Sequence, residues 1–85
     1  MRYEAGKLAA DGRRGALVLV LTPEGERIPA VHACDTEEKW IEQYQLNAKG
    51  RLLVENHQIA APVRIKRNFK LQDRLTGEVF CEVRR

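Results

Sequence analysis

The chain has 85 residues, a formal net charge of +3 at pH 7, and 44% hydrophobic against 32% charged residues. A chain of this length forms one domain that buries roughly 60 to 65% of its unfolded surface, so a deep catalytic cleft would compete with the core. The composition excludes a disordered chain, and the longest apolar run, residues 16–21, is far shorter than the ~20 residues that span a bilayer. The sequence therefore predicts one small folded domain over residues 1–85, without a membrane segment.

The N-terminus and the cysteines indicate the compartment. No hydrophobic signal core follows Met1, which favours a cytoplasmic protein. Cys34 and Cys81 could pair, but two cysteines without a secretion signal are typical of reduced thiols. We therefore expect a cytoplasmic protein without a disulfide.

The chain begins with its most ambiguous segment. Residues 1–15 are either an opening strand that includes Tyr3 or a flexible N-terminal arm, and residues 11–15 have the composition of a turn. Residues 16–21 then form an uninterrupted apolar run, which predicts a strand covered on both faces. We expect that strand at the centre of a sheet.

Three short segments, at residues 23–25, 47–50 and 75–77, each end in a glycine between runs of alternating apolar and polar residues. Glycine reaches positive φ at no steric cost, so each segment predicts the tight turn of a β-hairpin. After the first turn, residues 27–33 are expected to return as a second strand. Pro29 lacks an N–H and favours an edge position or the start of that strand.

Residues 35–39 resemble the start of a helix. Asp35 would be the N-cap, and Glu38, three residues on, would complete a pair like that of a capping box. Residues 40–46 carry strand-favouring types and lead directly into a hairpin turn, so we expect one helical turn followed by a strand. The alternative is a helix that continues through Leu46.

The register of the middle hairpin follows from a three-residue loop. Leu46 then faces Leu52. Tyr44 faces Val54, and Trp40 lies further along the same side. Because a slip of one residue would move these side chains to the wrong face, the register is well defined, and Trp40 and Tyr44 are expected in the core.

Residues 63–83 are expected to form the last hairpin. The core candidates, which share one face of it, are Val63, Ile65, Phe69, Leu71, Val79, Cys81 and Val83. With about six short strands, the sequence predicts an all-β or β-rich α+β domain. Its antiparallel sheet would be rolled into a small barrel or sandwich, which limits exposed edges.

Positive charge is concentrated near the C-terminus: residues 1–15 carry +2, residues 16–63 carry −3 and residues 64–85 carry +4. The cations of this last region that could form one surface are Arg64, Lys66, Arg67, Lys70, Arg84 and Arg85. Such a surface matches a phosphate backbone and indicates binding of RNA or single-stranded DNA. The alternative is a solvated charged face, on which Lys70 pairs with Glu82 across the strands.

Two residues break the alternation of the last hairpin. Phe80 lies between Glu78 and Glu82 on the side expected to face solvent, where it is a candidate partner contact unless a second layer covers it. It is also the only ring on that face on which a base could stack. Arg67 falls on the apolar side, where we expect a β-bulge that turns it outward. The alternative is a pocket arginine that binds a carboxylate or phosphate.

Side chains suited to catalysis or metal binding are few. His32, Cys34, His57 and Cys81 match no zinc-ligand spacing, and nothing places a thiol beside a base in a cleft. The sequence therefore predicts no catalytic residue, no metal and no cofactor. Two functions are consistent with it: a non-catalytic β module that binds a protein partner or its own copies, and a small β-barrel that binds RNA or single-stranded DNA through the basic hairpin.

Overall fold

The computed structural model describes all 85 residues, and its regular structure is almost entirely extended. The nine strands are β1 (Arg2–Glu4), β2 (Val18–Leu21), β3 (Val31–Asp35), β4 (Trp40–Gln43), β5 (Val54–Glu55), β6 (Gln58–Ile59), β7 (Val63–Lys66), β8 (Phe69–Asp73) and β9 (Val79–Val83). The one helical element is a single 3₁₀ turn at Gly15–Leu17. The prediction of a small all-β domain is confirmed.

Every strand pairing is antiparallel, and two principal sheets form. The first sheet has the strand order β1-β3-β4-β7 and the second has the order β2-β8-β9, while β5 and β6 form a separate hairpin. Both sheets keep open edges, so no closed barrel forms. Of the two predicted architectures, the protein adopts the one in which sheets pack around a shared core.

One hydrophobic core lies between the two sheets. The eight buried residues of this core cluster are Tyr3, Val20, Ile28, Cys34, Ile41, Phe69, Leu71 and Val83. Ile41 and Leu71 are 0% exposed, and Phe69 is 1% exposed. Complete burial of such a side chain stabilises a fold by about 1.5 to 3 kcal/mol, so this cluster is the main source of stability.

All three turns predicted from glycine are present. Gly25, Gly50 and Gly77 have φ angles of 93°, 76° and 75°, and a backbone hydrogen bond of 2.7 or 2.8 Å closes each turn. A fourth tight turn, which was not predicted, joins β5 to β6. Its two residues, Asn56 and His57, have φ angles of 50° and 64°, as a type I′ turn requires. Neither is glycine, so the feature that marked the other turns is missing here.

β2 lies at the edge of its sheet, and the prediction of a central strand is wrong. Its strand partner is β8 alone. After the first turn only a short return forms: Leu21 pairs with Arg27, and the N–H of Ile28 donates to the carbonyl of Val20 at 2.9 Å. The expected strand over residues 27–33 therefore does not form as one unit.

The chain passes from the second sheet to the first at Pro29 and Ala30. Proline has no N–H with which to extend a ladder, and Ala30 has a φ of 58°, which breaks the extended conformation. The chain resumes as β3 at Val31, and the register shift between Val31 and Ala33 leaves His32 in a β-bulge.

The connection between β3 and β4 is a hairpin turn, so the expected helical turn at residues 35–39 is wrong, as is the alternative of a longer helix. The predicted side-chain cap is nevertheless present. Asp35 Oδ1 accepts hydrogen bonds from the N–H groups of Glu37 and Glu38, at 2.9 and 3.0 Å. Lys39, at a φ of 60°, then leads the chain into β4.

β7 and β8 belong to different sheets, which corrects the expected last hairpin. β7 pairs with β4, whereas β8 pairs with β2 and β9. The chain changes sheets at Arg67 and Asn68, where the sequence predicted a β-bulge. Three of the expected core residues are exposed, by 45%, 38% and 43%: Val63, Ile65 and Val79. Only the β8–β9 part of the predicted hairpin is confirmed, with Leu71 opposite Cys81.

The N-terminal segment is an ordered part of the fold, and the opening-strand alternative is confirmed by the pairing of β1 with β3. The Tyr3 hydroxyl donates to Asp11 Oδ2 at 2.6 Å, and the Arg13 guanidinium donates to the same oxygen at 2.8 Å. Gly15 packs so closely on β1 that a Cβ there would overlap the backbone carbonyl of Glu4. Glycine is therefore required at that position.

The Tyr3–Asp11–Arg13 contacts change the titration of two side chains. Burial opposes ionisation of the Asp11 carboxyl, but the hydrogen bonds from Tyr3 and Arg13 outweigh it and lower the pKa to about 2. Burial, followed by the hydrogen bond to Asp11, raises the pKa of Tyr3. Arg13 also lies 3.6 Å from the carboxylate of Asp73, so this cluster joins the N-terminal segment to β8.

Candidate interaction surfaces

Residues 44–61, which we call the arm, connect β4 to β7 and contribute nothing to the core cluster. Leu46 lies opposite Leu52, and Val54 lies opposite Ile59. Because side chains alternate along a strand, Leu52 and Val54 point to the same side, and all four side chains share one face of the arm. On this arm face Leu52, Val54 and Ile59 are 39%, 60% and 54% exposed.

The arm confirms part of the predicted register. Leu46 faces Leu52 as expected, but the strand partner of Val54 is Ile59. Tyr44 packs edge-on against His32, with ring centroids 5.4 Å apart, and is only half-buried. The expectation that Tyr44 belongs to the core is therefore wrong.

β7 is an unpaired edge of the first sheet, and its apolar side chains are half-exposed. Val63 and Ile65 lie on the same face as the buried Ile41, which is the cross-strand neighbour of Ile65. Arg64 lies on the other face, where its guanidinium donates to the Glu42 carboxylate at 2.8 Å. β7 thus presents unpaired backbone groups and apolar side chains to a further strand, and its one charge without an ion pair, Lys66, lies at its C-terminal end.

Trp40 is buried as predicted, but on the opposite side of the first sheet from the core cluster. It is 4% exposed. The guanidinium carbons of Arg64 and Arg2 lie 3.8 and 5.0 Å from its ring centroid. The ring is therefore buried with two cations against it and is not available to stack on a base.

The six cations predicted to form one surface are divided between the two sheets. Arg64 pairs with Glu42, and both Lys70 and Arg84 pair with Glu82, at 3.6 and 3.4 Å. The cross-strand pair of Lys70 with Glu82 was the alternative interpretation, and it is confirmed. Half of the predicted set is thus ion-paired, although Lys70 and Arg84 share one carboxylate.

The other three predicted cations belong to residues near one end of the first sheet. Lys66, Arg67 and Arg85 make no ion pair. The N–H of Arg67 donates to the carbonyl of Lys39 at 3.2 Å, and the N–H of Arg85 donates to Asn68 Oδ1 at 2.8 Å. We call Lys39, Lys66, Arg67 and Arg85 the basic corner. The sequence did not point to Lys39, which lies in an acidic segment and joins this group only through the fold.

Phe80 does not stand free on a charged sheet face. Its ring packs edge-on against Tyr3, with centroids 5.9 Å apart, and the Arg13 guanidinium carbon lies 3.9 Å from its centroid. It is half-buried and contacts the core cluster. Tyr3 and Arg13 therefore cover the Phe80 ring, as in the predicted alternative in which a second layer packs on that face. Its role as a partner contact stays a prediction.

The cysteines and histidines form neither a reactive thiol site nor a metal-ligand cluster. Both cysteines are free thiols. Burial raises the pKa of Cys34 to about 12 and also raises that of Cys81, so both thiols are protonated at neutral pH and are poor nucleophiles. His32 lies in the bulge of β3 and His57 in an exposed turn, and no three His, Cys, Asp or Glu side chains cluster as metal ligands would.

Comparison of the chain with protein-family models, with curated proteins and with solved structures finds no match. Among its elements there is no helix of the length and apolar character needed to cross a membrane. The arguments for function therefore come from the surfaces described above: the arm face, the open edge at β7 and the basic corner.

Proposed function

We propose that the protein is a non-catalytic module that assembles with its own copies through β7. The observation that carries the proposal is the unpaired edge of the first sheet, with Val63 and Ile65 45% and 38% exposed along it. Closed two-fold dimers are the commonest homo-oligomers, and an antiparallel pair of identical edge strands has that symmetry.

The sequence of β7 suits pairing with itself about Arg64. In that register Val63 lies opposite Ile65 of the partner subunit, so apolar side chains meet on the core side. On the other side the two Arg64 side chains approach each other, and the Glu42 carboxylate at 2.8 Å offsets the charge of each. The first sheets of two copies would then form one continuous sheet of eight strands.

The size of the core supports assembly. Only 12 of the 85 residues are buried, and eight large hydrophobic side chains are exposed. Five of those eight lie on the arm face and β7: Leu52, Val54, Ile59, Val63 and Ile65. Small domains commonly gain the stability that their core lacks by burying such side chains between subunits.

The test is the mass in solution of three proteins over concentrations from about 5 to 500 μM, since assembly follows mass action. The wild-type chain of 9.7 kDa should approach twice that mass. Ile65→Lys should remain near the monomer mass, because it places a charge on the apolar face opposite Val63 of the partner subunit, whereas the native Lys66 lies at the end of β7. Leu75→Lys is the matched control, because Leu75 is 76% exposed in the β8–β9 turn, away from β7.

The proposal is overturned if the wild-type chain stays monomeric throughout this range, or if Leu75→Lys prevents assembly as strongly as Ile65→Lys. Fluorescence of Trp40 reports whether each variant retains the packing of the first sheet, since this is the only tryptophan in the chain.

We propose a second function, polyanion binding at the basic corner. It is favoured by one observation, the backbone contacts that bring Lys39 beside Arg67 and Arg85 beside Asn68, so that four residues with cations outside any ion pair lie in one region of the fold. If about four phosphates of a single strand are neutralised, log K should fall with log salt with a slope of about −2.8. The acidic side chains of Glu37 and Glu38 lie on the same turn as Lys39 and weaken the local potential.

Titration of labelled polyuridylate at several salt concentrations tests this second function. Lys66→Glu should weaken binding at least tenfold at low salt, whereas Lys49→Glu on the arm should change it little. Absence of wild-type binding at low salt, or an equal loss in both variants, would exclude the basic corner as a nucleic-acid surface.

A further inference from the structure

A cleft of about 220 Å³ opens between the two sheets, on the side where β2 forms the edge of the second sheet. Its walls come from β2, the 3₁₀ turn and β3, together with the connecting segment of residues 27–30. The cleft exists because the chain leaves the second sheet at Pro29, so that no further strand covers the outer edge of β2.

The floor of the cleft is apolar and belongs to the core. Val20, Ile28 and Cys34 lie beneath it and are only 6%, 6% and 1% exposed, so its accessible apolar surface comes from half-buried residues such as Val18 and Val31. In total, 11 of its 15 lining residues are hydrophobic. The Cys34 thiol adds no charge, because burial raises its pKa and keeps it protonated.

The polar lining is of one sign. Apart from Gly15, the non-hydrophobic lining residues are Arg27, His32 and Arg74, and no carboxylate lines the cleft. Neither Arg27 nor Arg74 makes an ion pair, and both are exposed at the rim. The carboxylate of Glu4, whose pKa is lowered chiefly by the hydrogen bond from Lys7, is already paired with Arg2 and Lys7 through two salt bridges.

We propose that this cleft is a binding site for a small apolar carboxylate, with its hydrocarbon part on the apolar floor and its carboxylate at the rim between Arg27 and Arg74. Pockets for drug-sized ligands have volumes of roughly 300 Å³ or more, so this one suits a smaller molecule. Guanidinium groups bind carboxylates through charge-assisted hydrogen bonds, and an apolar surrounding strengthens them. The site is independent of β7 and of self-assembly.

Sodium octanoate is the probe, and octan-1-ol, with the same chain but no charge, is the ligand control. Calorimetric titration should give saturable one-to-one binding of octanoate and binding of the alcohol weaker by about tenfold or more, because the alcohol cannot pair with the guanidinium groups. Arg74→Gln and Arg27→Gln should each weaken octanoate binding several-fold. Arg51→Gln, a matched loss of one arginine on the arm, should leave it unchanged.

Amide chemical shifts locate the bound probe without a substitution. The amides of Val18, Ile28 and Val31 should shift with a common saturation curve, while those of the arm should not. Failure of octanoate to bind at millimolar concentration, equal binding of octanol, or shifts centred outside the cleft would each overturn the proposal. None of these outcomes depends on whether the protein is monomeric.

Discussion

The two-sheet body and the arm are built in the same way, from antiparallel pairs closed by tight turns, yet only the body has a core. All eight residues of the core cluster lie outside residues 44–61. In the arm, Ala60 alone is buried, whereas Leu52, Val54 and Ile59 are at least 39% exposed. Regular strand pairing and burial are therefore separate properties, and the apolar residues of the arm contribute little to the stability of one chain.

The largest difference is expected between Phe69→Ala in the body and Ile59→Ala in the arm. Phe69 is 1% exposed, so its truncation leaves a cavity and should lower the free energy of unfolding by about 3 to 5 kcal/mol. Ile59 is 54% exposed, and its truncation should change stability by less than about 0.5 kcal/mol. Denaturant unfolding at low protein concentration measures both, and equal losses would show that the arm has a packed core of its own.

Two glycines distinguish the body from the arm through the backbone. Gly15→Ala would force a Cβ into the carbonyl of Glu4 and should cost about 3 kcal/mol, because neither backbone segment can move freely. Gly50→Ala in the arm has open space around it but a φ of 76°, so it should cost about 1 to 2 kcal/mol. Thermal unfolding ranks the two, and a smaller effect at Gly15 would contradict the close contact between the 3₁₀ turn and β1.

The Tyr3–Asp11–Arg13 cluster makes the stability of the body depend on pH. Because the pKa of Asp11 is about 2 in the fold and about 3.9 in an unfolded chain, its contribution is complete above about pH 5 and is lost as the pH falls toward 2. Tyr3→Phe, which removes the 2.6 Å hydrogen bond, should reduce this loss and destabilise the protein by about 1.5 kcal/mol at neutral pH. If Tyr3→Phe loses as much stability as the wild-type protein when the pH is lowered from about 5 to about 2, the loss does not come from the hydrogen-bonded Asp11 carboxylate.

The smallest expected change in stability comes from removing one of the two arginines that lie over the Trp40 ring. Arg64→Ala should cost about 0.5 to 1 kcal/mol, because it removes a cation–π contact between a solvent-exposed guanidinium and the buried ring. It should also shift the fluorescence of the only tryptophan to longer wavelength as water reaches the ring. Arg84→Ala, the loss of an arginine remote from Trp40, is the control and should leave the spectrum unchanged.

Local signals in the sequence predicted local structure well. Gly25, Gly50 and Gly77 marked turns because positive φ is a property of a single residue. The cap at Asp35 was also predicted, since a carboxylate that accepts from nearby N–H groups needs no tertiary partner. The direction of the chain after this cap was not predicted. Lys39 adopts a positive φ, so the segment expected to start a helix forms a hairpin turn instead.

The sheet to which a strand belongs could not be read from alternation. The patterns around Ile65 and Phe69 are alike, but one strand pairs with β4 and the other with β2 and β9. The predicted basic surface failed for the same reason, because it assumed that Arg64 and Lys70 lie on one sheet. Lys39 joins the basic corner through a hydrogen bond to Arg67, a contact between residues that are distant in sequence.

The alternation of the two sheets along the chain has a kinetic consequence. β2 has no strand partner until β8 has been synthesised, since Val18 pairs with Asp73. Contacts between such distant segments form only after a long loop has closed, and the entropy lost in closing it is not offset until the segments pack. Folding is therefore slowed to the range of about milliseconds to seconds. During that interval the apolar residues of β2 are unprotected, so the nascent chain is most vulnerable to aggregation before its last two strands have emerged.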